Sequence, residues 1–157
     1  QAVILVAINK PAAAFIRRYR EQGGGAQLYN ISVVDPAELV KLAGLKNAHG
    51  LGISQVVPYP YRPSLPVVRE YQQLLKQYAP QAEINYTSFE QFLGAKVLVE
   101  ALRRAGPAPT RAKVIKALES LQSHDLGGIT LSYSPTNRVG SRTVEVTVIG
   151  ANGRLLK

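Results

Sequence analysis

Cysteine, methionine and tryptophan are all missing from the 157 residues of this sequence. The lack of cysteine excludes disulfide bonds, thiol nucleophiles and cysteine-based metal sites. Only two histidines occur, His49 and His124, and neither has a second histidine at metal-ligand spacing. No Gly-x-Ser-x-Gly turn is present to expose a serine nucleophile. We therefore expect no catalytic residue, no bound metal, no cofactor and no enzymatic activity.

The chain also lacks long apolar runs and an initiator methionine. Without a run of about 18 uncharged apolar residues, no membrane span is predicted. Gln1 directly precedes the apolar run 2–7, so we expect that a preceding part of the translation product has been removed. Apolar residues make up 46% of the chain and charged residues 18%, a balance that favours a folded globular chain over a disordered one.

Acidic residues are scarce, because 19 lysines and arginines face only 10 aspartates and glutamates, which gives a net charge of +9. A basic chain raises the question of nucleic-acid binding. The excess is spread along the sequence, and the densest cluster, Arg17, Arg18 and Arg20, is typical of a solvated helix face. We expect no nucleic-acid partner, and a basic nucleic-acid-associated protein stays open as an alternative.

The first 57 residues alternate between apolar strand-like runs and amphipathic helical segments. The run 2–7 is continuously apolar, which is typical of a strand buried on both faces of a parallel sheet. Asp35 and Pro36 indicate a helix start, because Asp35 can cap the helix and Pro36 suits its first position. Helical crossovers join parallel strands, so this pattern predicts an α/β fold with a parallel sheet and flanking helices. The predicted strands are 2–7, 27–32 and 52–57, with helices from 11 to about 22 and from 36 onward.

The pattern changes at the proline- and tyrosine-rich segment 58–63, which is predicted to be stiff and extended. After it, apolar residues recur at the i, i+3, i+4 spacing of helices, and the end of the chain returns to strands around a hairpin turn at Asn152-Gly153. The predicted helices are 64–78, 88–105 and 110–121, and the predicted strands are 129–133, 143–149 and 154–156.

The loops that follow the first three predicted strands are the candidate binding region. In a parallel α/β sheet, ligands bind outside the carboxyl ends of the strands, and that rule selects residues 8–10, 32–34 and 58–61. The glycines at 23–25 follow a helix and precede a strand, the reverse of a phosphate-binding loop, so nucleotide binding is not favoured. A small polar or anionic ligand fits the selected loops, and ordinary connecting loops remain the alternative.

Five stretches of the sequence resemble, in family order, the C-terminal half of a type I periplasmic binding protein, the kind that serves branched-chain amino acid ABC transporters. Together they cover nearly the whole chain. The stretches are AVILVAINKPAAAFIRRYREQG, QLYNISVVDPAELVKLAG, GISQVVPYPYRPSLPVVREYQQLLKQY, NYTSFEQFLGAKVLVEALRRAG and HDLGGITLSYSPTNRVGSRTVEVTVIGANGR.

The resemblance implies a type I clamshell of two lobes, present here in part, whose chain crosses between the lobes three times. Residues 1–57 would belong to the second lobe, and residues 58–124 would form a hinge and helices that pack on the first lobe. Residues 125–157 would return to the second lobe as terminal strands. An N-terminal half of the same protein would form most of the first lobe.

The resemblance also implies a function, partners and a location. It implies an exported periplasmic solute-binding protein that delivers a small-molecule ligand to an ABC transporter permease in the inner membrane. The ligand would be a small amino acid, an amide, or an organic or aromatic acid. A ligand-sensing regulatory domain of the same fold is the alternative.

Three residues match ligand positions of that family, and two tyrosines lie in the implied hinge. Asn9 falls where relatives often place an aromatic residue, Tyr86 falls near a position that lines the ligand side chain, and Tyr59 and Tyr61 lie at the hinge. Ser32 falls where amino-acid-binding relatives carry a carboxylate that pairs with the ligand's ammonium. An ammonium would lose a charge-assisted partner worth about 1.5–3 kcal/mol there, so an acid or an amide fits equally well.

Overall fold

The structure is a computed structural model that describes all of residues 1–157. Strands and helices alternate up to residue 55, and the elements that follow are mainly helical before the strands at the end. The strands are β1 (Ala2–Leu5), β2 (Gln27–Asn30), β3 (Gly52–Gln55), β4 (His124–Asp125), β5 (Thr130–Leu131), β6 (Glu145–Ile149) and β7 (Leu155–Leu156). The helices are α1 (Asn9–Glu21), α2 (Pro36–Ala43), α3 (Leu45–Ala48), α4 (Pro66–Tyr78), α5 (Tyr86–Ala105) and α6 (Arg111–Glu119).

Contacts between residues divide the chain into two compact units. The first, here called the sheet unit, consists of residues 1–58 and 144–157. The second, here called the helical unit, consists of residues 59–143. The assignment of residues 1–57, 58–124 and 125–157 to the lobes of a clamshell stays a prediction.

The sheet unit contains a five-stranded sheet in the order β1-β2-β3-β6-β7. The first three strands are parallel, with Ala2 opposite Gln27 and Tyr29 opposite Gly52. α1 joins β1 to β2, and α2 and α3 join β2 to β3. These crossovers confirm the predicted β-α-β-α-β order, and β6 and β7 add antiparallel strands beyond β3.

Local signals in the sequence explain where α2 begins and ends. Asp35 caps it, since its Oδ1 accepts a hydrogen bond from the Glu38 N–H at 2.8 Å, and Pro36 lies in the first turn. Gly44 follows the helix with a φ of 84°, a left-handed conformation that glycine adopts without steric cost. The same glycine precedes α3, a four-residue helix that the sequence analysis did not predict.

The core of the sheet unit lies between one face of the sheet and its three helices, which contact one another. Successive side chains of a strand point to opposite faces, so the buried strand residues define the covered face. The core includes Leu28, Ile53 and Ile149 from the strands and Ala12, Ile16, Leu39, Ala43 and Ala48 from the helices, with Val3, Leu5 and Leu155 packed against it.

The opposite face of the sheet is left uncovered by the helices of the sheet unit. Ile4 is 74% exposed, Val146 is 52% exposed and Leu156 is 57% exposed. The prediction that 2–7 is a strand buried on both faces is wrong, because β1 lies at the edge of the sheet and the helices pack on one side only. We call this surface the bare face. By strand register it includes the apolar or small residues Ile4, Tyr29, Gly52, Val146, Val148 and Leu156 and the polar residues Gln27 and Ser54.

The helical unit is built from α4, α5, α6 and the short hairpin β4–β5. Residues up to 143 pack with these helices. A physical reason is the hydrogen bond from Val67 N, at the start of α4, to Gly127 O at 3.0 Å. The core of the unit includes Val68, Tyr71, Phe89, Leu93, Ala101 and Leu121.

Side-chain caps fix the starts of α5 and α6. The Asn85 Oδ1 accepts from the Ser88 N–H at 2.8 Å, so α5 begins at Tyr86 and not at the predicted residue 88. The Thr110 Oγ1 accepts from the Lys113 N–H at 3.3 Å, which confirms the predicted cap of α6. No helix combines the length and the apolar character that crossing a membrane requires.

Candidate functional site

The carboxyl ends of β1, β2 and β3 lie at one edge of the sheet, because the three strands are parallel. We call this the strand-end edge. The loops that leave it carry the predicted site residues Asn9 and Ser32. Its polar residues are Asn9, Asn30, Ser32, Asp35 and Gln55.

Asn9, the first residue of α1, is half-buried, and its side-chain amide is hydrogen bonded in both directions. Its Nδ2 donates to the Asp35 carbonyl at 2.8 Å, and its Oδ1 accepts from the Asp35 N–H at 3.0 Å. The amide therefore joins the loop after β1 to the loop after β2. A second Nδ2 hydrogen and a second Oδ1 lone pair remain for a ligand, and the binding role of Asn9 stays a prediction.

Asn30 is a polar residue of the same edge that the sequence analysis missed. It lies at the end of β2 and is only 2% exposed. Its Nδ2 donates to the Ala7 carbonyl at 3.0 Å, and its Oδ1 accepts from the Ala7 N–H at 3.4 Å and from the Ile31 N–H at 2.9 Å. The side chain thus extends the bonding between β1 and β2 beyond their last backbone pair. The available signal was one asparagine inside the strand-like run LYNI.

Ser32 lies half-buried in the turn between β2 and α2. Asp35, the carboxylate closest to it along the chain, is the predicted helix cap, and this prediction is confirmed. The Asp35 carboxylate accepts a hydrogen bond from the Glu38 N–H, and the Asp35 backbone is hydrogen bonded to the Asn9 side-chain amide. Asp35 therefore has a structural role at this edge. The binding role of Ser32 stays a prediction.

Replacing Asp35 with alanine should lower the free energy of unfolding by about 1 kcal/mol, because the Glu38 N–H would lose its side-chain acceptor. Asp35→Asn should keep most of the stability, since asparagine caps helices about as well as aspartate. Urea unfolding of the two variants measures the difference. Equal losses in both variants would argue against capping as the main role of Asp35.

β3 ends in a buried pair of polar side chains. Gln55 is 1% exposed, and its Nε2 donates to the Thr147 Oγ1 at 3.0 Å. The Thr147 hydroxyl in turn donates to the Ile53 carbonyl at 3.3 Å. Buried polar groups are costly unless they are hydrogen bonded, so these two bonds offset part of the cost of burial and link β3 to β6.

Tyr59, Tyr61 and Tyr86 form a group in the helical unit, here called the tyrosine cluster. The ring centroids of Tyr59 and Tyr61 are 5.1 Å apart, and the Tyr86 ring lies 6.3 Å from the first and 6.1 Å from the second. Both Tyr86 pairs are edge-to-face, an arrangement that aromatic rings favour. Tyr86 is buried, Tyr59 half-buried and Tyr61 exposed. The structure thus brings together three predicted site residues.

Two carboxyl groups of the helical unit, those of Asp125 and Glu100, have lowered pKa values, and neither is a predicted site residue. Hydrogen bonds from the Gly127 and Gly128 N–H groups hold the pKa of Asp125 below its usual range. A hydrogen bond from the Arg104 Nε, at 2.8 Å, holds the pKa of Glu100 below its usual range. No group of three or more histidine, aspartate or glutamate side chains is arranged to hold a metal ion.

Comparisons with known proteins cover nearly the entire chain. A family model described as periplasmic binding protein matches residues 1–154. A substrate-binding periplasmic protein from Ralstonia solanacearum is 40% identical, with a TM-score of 0.88, over 99% of this chain and 45% of that one. An extracellular ligand-binding receptor from Verminephrobacter eiseniae is 32% identical, with a TM-score of 0.88, over 100% of this chain and 44% of that one.

A third similar structure carries a more specific description. It is a possible leucine/isoleucine/valine-binding protein from Rhodopirellula baltica, 30% identical with a TM-score of 0.89, over 99% of this chain and 42% of that one. The chain therefore spans less than half the length of these three relatives. None of the curated proteins compared with the chain matches it.

Proposed function

The chain belongs to the periplasmic binding protein family, and from that membership we propose that the complete protein binds a small extracytoplasmic solute and delivers it to an ABC importer. The observation that carries the proposal is the 40% identity, over 99% of the chain, to a substrate-binding periplasmic protein. We propose binding without catalysis, because the similar proteins are solute-binding proteins. The expected partner is a permease in the inner membrane, and the expected location is the periplasm.

We propose ligand contacts for each unit taken by itself. In the sheet unit these are Asn9 and Ser32, which follow the first two parallel strands. In the helical unit they are the members of the tyrosine cluster, whose rings offer apolar faces and whose hydroxyls offer hydrogen bonds. The relatives are more than twice as long as this chain, so further contacts would come from residues outside these 157.

The proposed ligand is a small amino acid, an amide, or an organic or aromatic acid. Aromatic faces suit the apolar or aromatic part of a ligand, and the Asn9 amide can donate a hydrogen bond to a polar group of the ligand or accept one from it. The residues at the strand-end edge argue against a ligand whose binding requires a carboxylate partner for its ammonium group. Ser32 carries no charge, and the Asp35 carboxylate already accepts the Glu38 N–H.

The test is calorimetry on the complete protein with L-leucine, L-leucinamide and benzoate as probes. For whichever probe binds, Ser32→Ala and Tyr86→Phe should each weaken binding roughly tenfold, or about 1.4 kcal/mol, through loss of a hydroxyl that contacts the ligand. Tyr86→Phe is chosen over alanine because Tyr86 is buried and its ring packs on two others.

The matched control is Tyr78→Phe, because Tyr78 is 75% exposed at the end of α4, within the same helical unit. It should bind the probe as the unaltered protein does. Unchanged affinity in both Ser32→Ala and Tyr86→Phe would contradict the proposed contacts. Binding of none of the three probes would contradict the proposed ligand class.

A further inference from the structure

Two consecutive residues of α4 hold the two segments that carry the tyrosine cluster. Tyr71 bonds to the first turn of α5, where Tyr86 lies, and Gln72 bonds to the segment that contains Tyr59 and Tyr61. We propose that Tyr71 and Gln72 are positioning residues that set the arrangement of the tyrosine cluster. The consequence for ligand affinity rests on the proposed function, whereas the consequence for ring geometry does not.

The Tyr71 hydroxyl fixes the start of α5. Tyr71 is 3% exposed, and its Oη lies 2.5 Å from the Ser88 Oγ. The same oxygen accepts from the Asn85 N–H at 3.4 Å. Residues 85 and 88 flank Tyr86 on both sides, so a hydroxyl that holds both of them also fixes the backbone from which the Tyr86 ring extends.

The Gln72 amide fixes the segment on the other side of the cluster. Its Nε2 donates to the Pro60 carbonyl at 2.7 Å, and Pro60 lies between Tyr59 and Tyr61. Proline has no N–H, so the carbonyl is the only polar group of that residue's backbone. One bond from Gln72 therefore holds the backbone between the two rings.

The geometry of a helix makes these two contacts act together. Consecutive side chains of a helix point about 100° apart, so neighbours on α4 can reach two different segments. Because both side chains leave the same helical turn, the distance between the segments they hold is fixed by α4. The edge-to-face contacts of Tyr86 with Tyr59 and Tyr61 depend on that distance.

A fluorine label at position 86 tests the proposal in the complete protein. Tyr86 is replaced by 3-fluorotyrosine, and its ¹⁹F resonance is compared among variants, because ring currents of neighbouring aromatic rings shift it. Tyr71→Phe removes only the hydroxyl and keeps the ring that packs on Phe89 at 5.1 Å. Gln72→Ala removes the bond to Pro60. Each variant should shift the resonance or split it into two.

Matched controls come from the same helix. Tyr78→Phe and Gln73→Ala make the same chemical changes at exposed positions of α4 and should leave the resonance in place. Shifts in Tyr71→Phe and Gln72→Ala that are no larger than those of the controls would overturn the proposal. A loss of thermal stability alone, with the resonance unmoved, would also overturn it, because that is the signature of a merely structural role.

Ligand binding by the same variants distinguishes this proposal from the proposed function. L-leucine, L-leucinamide and benzoate are titrated into the same variants. Weaker binding together with a moved resonance supports positioning of a binding cluster. A moved resonance with unchanged affinity supports the positioning roles and contradicts the role of the tyrosine cluster in binding. An unmoved resonance overturns the positioning roles whatever the affinities are.

Discussion

The 157-residue chain, expressed by itself, should self-associate rather than form a stable monomer. The reason is the bare face of the sheet unit, where apolar side chains such as Ile4 and Val146 are more than half exposed. Contiguous apolar patches of this kind mark interfaces or aggregation sites in soluble proteins. β1 is also an edge strand, and unpaired edge strands invite pairing with another chain. Light scattering at several concentrations measures the mass.

Polar side chains in place of apolar ones on the bare face should reduce this self-association. The double variant Ile4→Ser and Val146→Thr keeps the strand positions but removes apolar surface, and we expect a lower mass at equal concentration. Ala14→Ser is the matched control, because Ala14 is exposed on α1, which packs on the opposite face of the sheet. An unaltered chain that is monomeric at all concentrations would contradict the prediction.

The isolated chain should also bind ligand poorly. It spans 45% of the length of the Ralstonia relative, so we expect part of the proposed ligand's surroundings to come from residues outside these 157. Ligand pockets bury most of the ligand surface, and loss of about 3 kcal/mol of contacts weakens binding roughly a hundredfold. Calorimetry compares the chain with the complete protein for the same probe. Equal affinities would show that the 157 residues hold the whole site.

The parallel sheet could be predicted because its signals are local. Apolar runs, helical spacing and the Asp35-Pro36 start each lie within a few residues of the element they specify. The exposure of β1 could not be predicted in this way, because it depends on which faces the distant helices cover. α3 was missed because four residues are too few to show a helical period.

The candidate site was predictable only in part, because several of its hydrogen bonds join residues that are distant in the sequence. The strand-end rule selected Asn9 and Ser32, since it depends on element order alone. The partners of Asn9 and Asn30 lie 26 and 23 residues away, and no local pattern indicates such bonds. Tyr71 lies in the core of the helical unit, and the pattern of a helix face does not show which distant group its hydroxyl meets.

Replacing Asn30 with alanine should destabilise the sheet unit more than any other single polar change at the strand-end edge. The side chain satisfies the N–H and the carbonyl of Ala7 as well as the Ile31 N–H. The three backbone groups are only part-buried, so water can replace some of the lost partners. At about 0.5–1.5 kcal/mol for each hydrogen bond lost, we expect a total loss of about 2–4 kcal/mol in the free energy of unfolding.

Asn30→Asp separates the accepting bonds of the side chain from its donating bond. Aspartate keeps the acceptor for the Ala7 and Ile31 N–H groups but loses the donor to the Ala7 carbonyl. Urea unfolding of the complete protein measures the stability, and amide hydrogen exchange at Ala7 should be faster in Asn30→Ala. The matched control is Asn152→Ala, at an exposed turn, which should change stability by less than about 0.5 kcal/mol. If Asn30→Ala is as stable as that control, the Asn30 amide does not hold the end of β1.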